Sequence, residues 1–237
     1  MLERFKEFWA GTLLHPFVRL FIRLGISPDT VTLVGTVGVA AGALIFFPQG
    51  ELLIGVLFIT AFVFSDLIDG RMARETGRVS TFGSFWDSTL DRIGDGAIFG
   101  GLALYFAGVT AHDGASRLYL CLTLWCLVMG SVTSYARAKA ESLGLDARGG
   151  IAERSDRLVS ILVMTGVGAL FDLPILMYLT LWVLAVASTY TVGFRVLKVR
   201  RQALALDAAR AADAAASDGA GELSDTGTDG EAVDETP

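Results

Sequence analysis

The chain has 237 residues, 53% of them hydrophobic and only 19% charged, with a mean hydropathy of +0.56; a water-soluble domain rarely combines these values. The net charge of −6 belongs to one end: residues 207–237 hold nine acids and one base, and the remaining 206 residues hold 16 acids and 18 bases. A long apolar body with an acidic tail excludes a wholly disordered chain and an ordinary cytosolic enzyme, and no nucleic-acid partner is expected.

Residues 1–26 form a juxtamembrane segment. Leu2, Phe5, Phe8, Trp9, Leu13 and Leu14 recur at helical spacing opposite Glu3, Arg4, Lys6 and Glu7, the pattern of an amphipathic helix lying in a membrane interface. No basic stretch leads into an apolar core there, so a cleaved signal peptide is not expected.

Six apolar stretches follow at 31–47, 52–68, 85–107, 118–136, 158–171 and 175–194. Because a helix needs ~20 residues to cross the hydrocarbon core, they predict an all-α integral membrane protein whose body, residues 27–202, contains six transmembrane helices. Basic residues set the orientation. Arg4, Lys6, Arg19 and Arg23 precede the first stretch; Arg71, Arg74 and Arg78 follow the second; Arg137, Lys139, Arg148, Arg154 and Arg157 surround the fourth connection; Arg195, Lys198, Arg200 and Arg201 end the sixth. The opposite connections contain only Arg117, so both termini are expected in the cytoplasm of a plasma-membrane protein. Cys121 and Cys126 lie inside the fourth stretch and read as small packing residues. Residues 203–237 form an acidic tail without aromatics and read as disordered.

Charges within membrane helices are costly and point to function. Asp66 and Asp69 close the second stretch, and Asp87, Asp91 and Asp95 occupy the third. Spacings of three and four residues put each pair on one helix face, and a short connection through 75–82 lets the two faces meet. Four carboxylates together repel one another unless cations bind, and hard oxygen donors suit Mg²⁺ or Mn²⁺. The structural alternative is a buried ion network with Arg71, Arg74 and Arg92. Gly70 and Gly83 leave the backbone bare at both edges of the cluster, where a nucleotide diphosphate could approach with Arg74 as charge partner.

The run Asp66-Leu-Ile-Asp69-Gly70-Arg71-Met72-Ala73-Arg74, then eight residues, Gly83, three residues, Asp87, three residues and Asp91 resembles the signature of the CDP-alcohol phosphatidyltransferases, with every defining position filled. That resemblance implies a six-helix membrane enzyme, a homodimer, that uses two divalent metals to transfer a phosphatidyl group from a CDP-linked lipid to an alcohol and releases CMP. It implies Asp66, Asp69, Asp87 and Asp91 as metal ligands, Asp91 also as the base, and Gly70, Ala73, Arg74 and Gly83 at the nucleotide. Asp29 and Thr32, in Pro28-Asp29-Thr30-Val31-Thr32, resemble the family's N-terminal nucleotide contact; a helix N-cap is the alternative role for Asp29.

Ser134-Tyr-Ala-Arg137-Ala-Lys139 and Gly149-Gly150-Ile-Ala-Glu153-Arg154-Ser155-Asp156-Arg157 further resemble the actinobacterial phosphatidylinositol phosphate synthase subfamily. That similarity, over about residues 25–200, implies CDP-diacylglycerol as donor and inositol phosphate as acceptor, with Ser134, Arg137, Arg154, Arg157 and Arg195 holding the acceptor's phosphate. Cytoplasmic helix ends are basic for topological reasons as well. Two alternatives remain open at this point: a phosphatidylglycerol phosphate synthase, whose acceptor is also a phosphorylated polyol, and a divalent-cation transporter.

Overall fold

Capping residues mark where the helices begin and end. The computed structural model describes residues 15–63, 68, 70–72, 75, 77, 80–110 and 114–225. After α1 (His15–Arg23), extended Ser27 accepts the Thr30 amide at 3.2 Å and opens α2 (Pro28–Phe46), with proline in the first turn, where a missing N–H leaves nothing unsatisfied. A 3-10 turn (Phe47–Gln49) ends at left-handed Gly50 and leads into α3 (Leu52–Val63). Ser80 caps α4 (Thr81–Ala107) by accepting the Gly83 amide at 2.9 Å, and left-handed Gly108 ends it. Then come α5 (Arg117–Ser142), α6 (Arg154–Leu170) and α7 (Ile175–Asp225). No strand occurs among the described residues.

Each apolar stretch falls on a helix, the second described continuously only to Val63. Among the described residues three segments, Pro28–Gln49, Arg117–Ser142 and Ile175–Ala212, are long and apolar enough to cross a membrane. The helices pack in a ring: α2 on α3, α3 on α6, α6 on α7, α7 on α5, α5 on α4 and α4 back on α2. Ala43, Phe47, Ile59, Ile98, Leu102, Phe106, Ile161 and Leu181 fill its centre. Small residues permit the close crossings: a methyl group at Gly101 of α4 would run into the Ala43 carbonyl of α2.

Burial is inverted relative to a soluble protein. Leu57, Val183 and Val186 are nearly two-thirds exposed, whereas Arg157 is 1% exposed. Water would penalise such a surface and lipid does not. Cys126 is buried, its thiol directed at the Leu181 carbonyl at 3.5 Å, in keeping with a packing role; Cys121 is exposed on the outer face.

Two sequence expectations change or fall outside. The amphipathic pattern of residues 1–14 lies outside the described residues; α1 follows it and buries Val18 against Val31 and Met72. The tail, expected to be disordered from residue 203, instead continues α7 to Asp225. Its alanines explain this, since alanine has the highest intrinsic helix propensity and needs no core to wind. Residues 204–212 are all exposed, so this stretch of the helix packs on none of the described residues. Truncation after Leu206 is therefore expected to leave folded protein with unchanged turnover in detergent. A large loss of turnover in the folded truncation would assign the tail a part in catalysis.

Candidate active site

One face of α4 carries Ser84, Asp87, Ser88, Asp91 and Asp95 at spacings of three and four. Asp87, near the helix start, is exposed and makes no ion pair or hydrogen bond with the described residues. One turn on, Asp91 Oδ1 accepts from Arg154 Nη2 at 2.9 Å, and its Oδ2 lies 3.7 Å from Arg92. Another turn deeper, Asp95 Oδ1 accepts from Arg154 Nε at 2.9 Å, with Arg157 Nη2 at 3.6 Å and Arg92 Nη2 at 3.7 Å from Oδ2. A buried ion network thus exists at Asp91 and Asp95. Of the partners expected for it, Arg92 takes part; Arg154 and Arg157 arrive from α6, about sixty residues downstream in the acceptor motif. Asp66, Asp69, Ala73 and Arg74 lie outside the described residues; Gly70 is helical and half-buried.

The described residues contain no group of three potential metal ligands. Asp87 and Asp91 nevertheless supply carboxylate oxygens one turn apart, and hard donors of this kind fit Mg²⁺ or Mn²⁺.

Beside Asp91 opens a cavity of about 530 Å³. All five residues expected to hold the acceptor line it: Ser134 and Arg137 from α5, Arg154 and Arg157 from α6, and Arg195 from α7. Five arginines, Arg92 included, face three carboxylates, Asp91, Glu141 and Glu153, so the walls are net positive and suit an anion. Residues missed by sequence reading are Ser84, Ser88, Glu141 and Glu153 on the walls; Arg92 and Asp95 were named there only as charges of the carboxylate cluster. Only the helical spacing of Ser84 and Ser88 from Asp91 could have indicated any of them.

The arginines differ in how they are held. Arg157 is enclosed, donating through Nη1 to the Ala152 carbonyl at 3.2 Å and through Nη2 to Gly130 at 3.5 Å. Arg195 donates to the Thr133 and Gly149 carbonyls at 2.7 and 3.1 Å, tying α7 to α5 and to the connection before α6. Arg137 is half exposed and pairs through Nε with Glu141 at 2.9 Å. Ser134 Oγ donates to the Gly130 carbonyl at 3.3 Å.

The connection from 143 to 153 reaches the cavity at Glu153 and is tied to α7. Thr191 Oγ1 accepts the Ile151 and Ala152 amides at 3.2 Å each, while Lys198 Nζ reaches Asp146 at 2.7 Å and the Arg148 carbonyl at 2.9 Å. The hydrogen bond from Lys198 holds the Asp146 carboxyl below its ordinary range, so its contribution to this clamp is present above the unfolded-state pKa and is lost as pH falls through the lowered one. Gly150 sits at φ +118, with Thr191 where a side chain would go. Gly150→Ala is expected to cost about 1–3 kcal/mol, read as a lower unfolding midpoint in detergent.

At the start of α4, Gly83 adjoins Asp29: a methyl group at Gly83 would lie 3.6 Å from Asp29 Oδ1, and the Trp86 indole donates to the Asp29 carbonyl at 3.2 Å. The N-cap role considered for Asp29 belongs instead to Ser27, because Asp29 already lies within the first turn. Thr32 is buried, its hydroxyl donating to the Pro28 carbonyl at 3.1 Å.

A family model described as CDP-alcohol phosphatidyltransferase matches residues 25–193. The phosphatidylinositol phosphate synthase of Streptomyces avermitilis is 48% identical over 230 residues, covering 94% of this chain and 92% of that protein. That of Mycolicibacterium smegmatis is 44% identical over 190 residues, covering 79% and 84%. Among solved structures, the Mycobacterium tuberculosis phosphatidylinositol phosphate synthase with CDP-DAG bound has a TM-score of 0.73 at 40% identity, covering 78% of this chain and 92% of that one. The structure of that M. tuberculosis protein in complex with manganese and citrate has a TM-score of 0.72 at 40% identity, covering 78% and 88%.

Proposed function

The chain belongs to the CDP-alcohol phosphatidyltransferase family, and from that premise we propose that it transfers the phosphatidyl group of CDP-diacylglycerol to a hydroxyl of an inositol phosphate, giving phosphatidylinositol phosphate and CMP. The observation that carries this reading is the position of Asp91 in the wall of an arginine-lined cavity, where a bound phosphate places the rest of the acceptor beside a carboxylate.

In the reaction the acceptor oxygen attacks the phosphorus bearing the diacylglycerol, an O–P bond forms, the bond to the bridging oxygen of CMP breaks, and Asp91 takes the hydroxyl proton. Ser134, Arg137, Arg154, Arg157 and Arg195 bind and orient the acceptor phosphate. Asp29, Thr32, Gly70, Ala73, Arg74 and Gly83 border the nucleotide. Asp66, Asp69, Asp87 and Asp91 would hold two divalent ions, Mg²⁺ or Mn²⁺, whose charge when bound neutralises the diphosphate and improves CMP as a leaving group. The same reading places six helices across the plasma membrane, with both termini and the cavity on the cytoplasmic side, residues 1–26 along the inner interface, and the chain as a homodimer.

Family membership answers the transporter alternative, since the chain is an enzyme. Glycerol phosphate would also satisfy a phosphate-binding cavity; the names of the relatives favour inositol phosphate. The test is a panel of phosphorylated and free polyols offered to purified protein with radiolabelled CDP-diacylglycerol. Labelled phosphatidylinositol phosphate with stoichiometric CMP is expected, and preferential use of glycerol phosphate would overturn the acceptor assignment.

A further inference from the structure

Arg154 is held in an unusual way. The side edge of its guanidinium, Nε and Nη2, would normally grip one carboxylate with both nitrogens. Here the edge is divided: Nε donates to Asp95 Oδ1 and Nη2 to Asp91 Oδ1, both at 2.9 Å. Nη1 has no partner among the described residues, and Arg154 lines the cavity. The group is therefore fixed in its plane by two carboxylates one helical turn apart, with its remaining donors available to an anion. Asp95 itself is 7% exposed, and its other oxygen faces Arg157 and Arg92. It is the one carboxylate within 4 Å of Arg157 among the described residues, and a guanidinium that deeply buried needs such a partner.

We infer that Asp95, which lies outside the signature residues, is a positioning residue for acceptor binding: it anchors Arg154 and Arg157 so that their guanidinium groups meet the acceptor's phosphate. The inference rests on the proposed function. It requires that Asp95 act through the arginines without touching substrate.

The test is kinetic, in purified protein with inositol phosphate and CDP-diacylglycerol. Asp95→Asn keeps the shape and one acceptor oxygen, but it turns a donor toward Arg157 or Arg92 and removes the countercharge. The acceptor KM is expected to rise about tenfold or more, with the CDP-diacylglycerol KM nearly unchanged, and selectivity for inositol phosphate over inositol should fall. Because part of the action of Asp95 passes through Arg154, adding Asp95→Asn to Arg154→Gln should raise the acceptor KM by less than it does alone. Fully additive effects, or equal rises in both KM values, would overturn the inference. If Asp95→Asn does not fold, Asp95→Glu decides the matter: it keeps the countercharge but shifts the carboxylate that holds both arginines, so a wild-type acceptor KM there overturns the inference, and a raised acceptor KM with an unchanged CDP-diacylglycerol KM supports it. Failure of wild-type protein to use inositol phosphate would be a failure of the proposed function, which these variants do not share.

Discussion

Asp91→Asn is expected to purify as folded protein that binds CDP-diacylglycerol and turns over at least about 10²-fold more slowly, the usual loss when a general base is removed. The substitution is nearly isosteric, and an amide oxygen can still accept from Arg154 Nη2, so the α4 to α6 contact persists. What disappears is the group able to take the acceptor's proton, together with one of the four carboxylates proposed for the metals, the other three remaining. Asp66→Asn, Asp69→Asn and Asp87→Asn should behave differently, weakening divalent-metal and CDP-lipid binding together. Single-turnover CMP release, measured beside CDP-diacylglycerol binding over a metal titration, separates the two patterns. Normal turnover in Asp91→Asn, insensitive to chelator, would remove the mechanism.

The second large effect concerns the acceptor. Arg137, Arg154, Arg157 and Arg195 line one cavity, and a phosphate dianion gains charge-assisted hydrogen bonds there that free inositol cannot form, each worth ~1.5–3 kcal/mol. Loss of two such bonds should lower kcat/KM by a factor on the order of 10² or more. Inositol phosphate should be a good substrate and inositol a poor one. Arg154→Gln should raise the acceptor KM far more than the CDP-lipid KM. The comparison needs purified protein, because cellular kinases and phosphatases interconvert the two acceptors. Equal use of both would abolish the phosphate site.

Helix positions were legible because apolar runs of helical length are set by neighbouring residues and need no distant partner. Family and chemistry were legible because the signature from Asp66 to Asp91 occupies one short segment at helical spacing. The tail misled, because a composition unable to build a core can still wind a helix through alanine propensity alone. The Asp29 cap misled by two residues, since proline fixes the first turn and leaves Ser27 outside it.

Pairing was not legible. Sequence placed Arg154 and Arg157 near a phosphate from their motif, yet nothing local indicates that Arg154 bridges Asp91 and Asp95, or that Arg195 ties α7 to the Thr133 and Gly149 carbonyls. Sequence by itself determined the membrane helices, the family and the carboxylate face of α4, because hydropathy, capping and helical periodicity are properties of neighbouring residues. Only the tertiary structure decided which arginine meets which carboxylate and that five residues from three helices share one cavity. Those contacts depend on how the helices close into a ring, where a buried charge takes whichever partner the packing brings within reach.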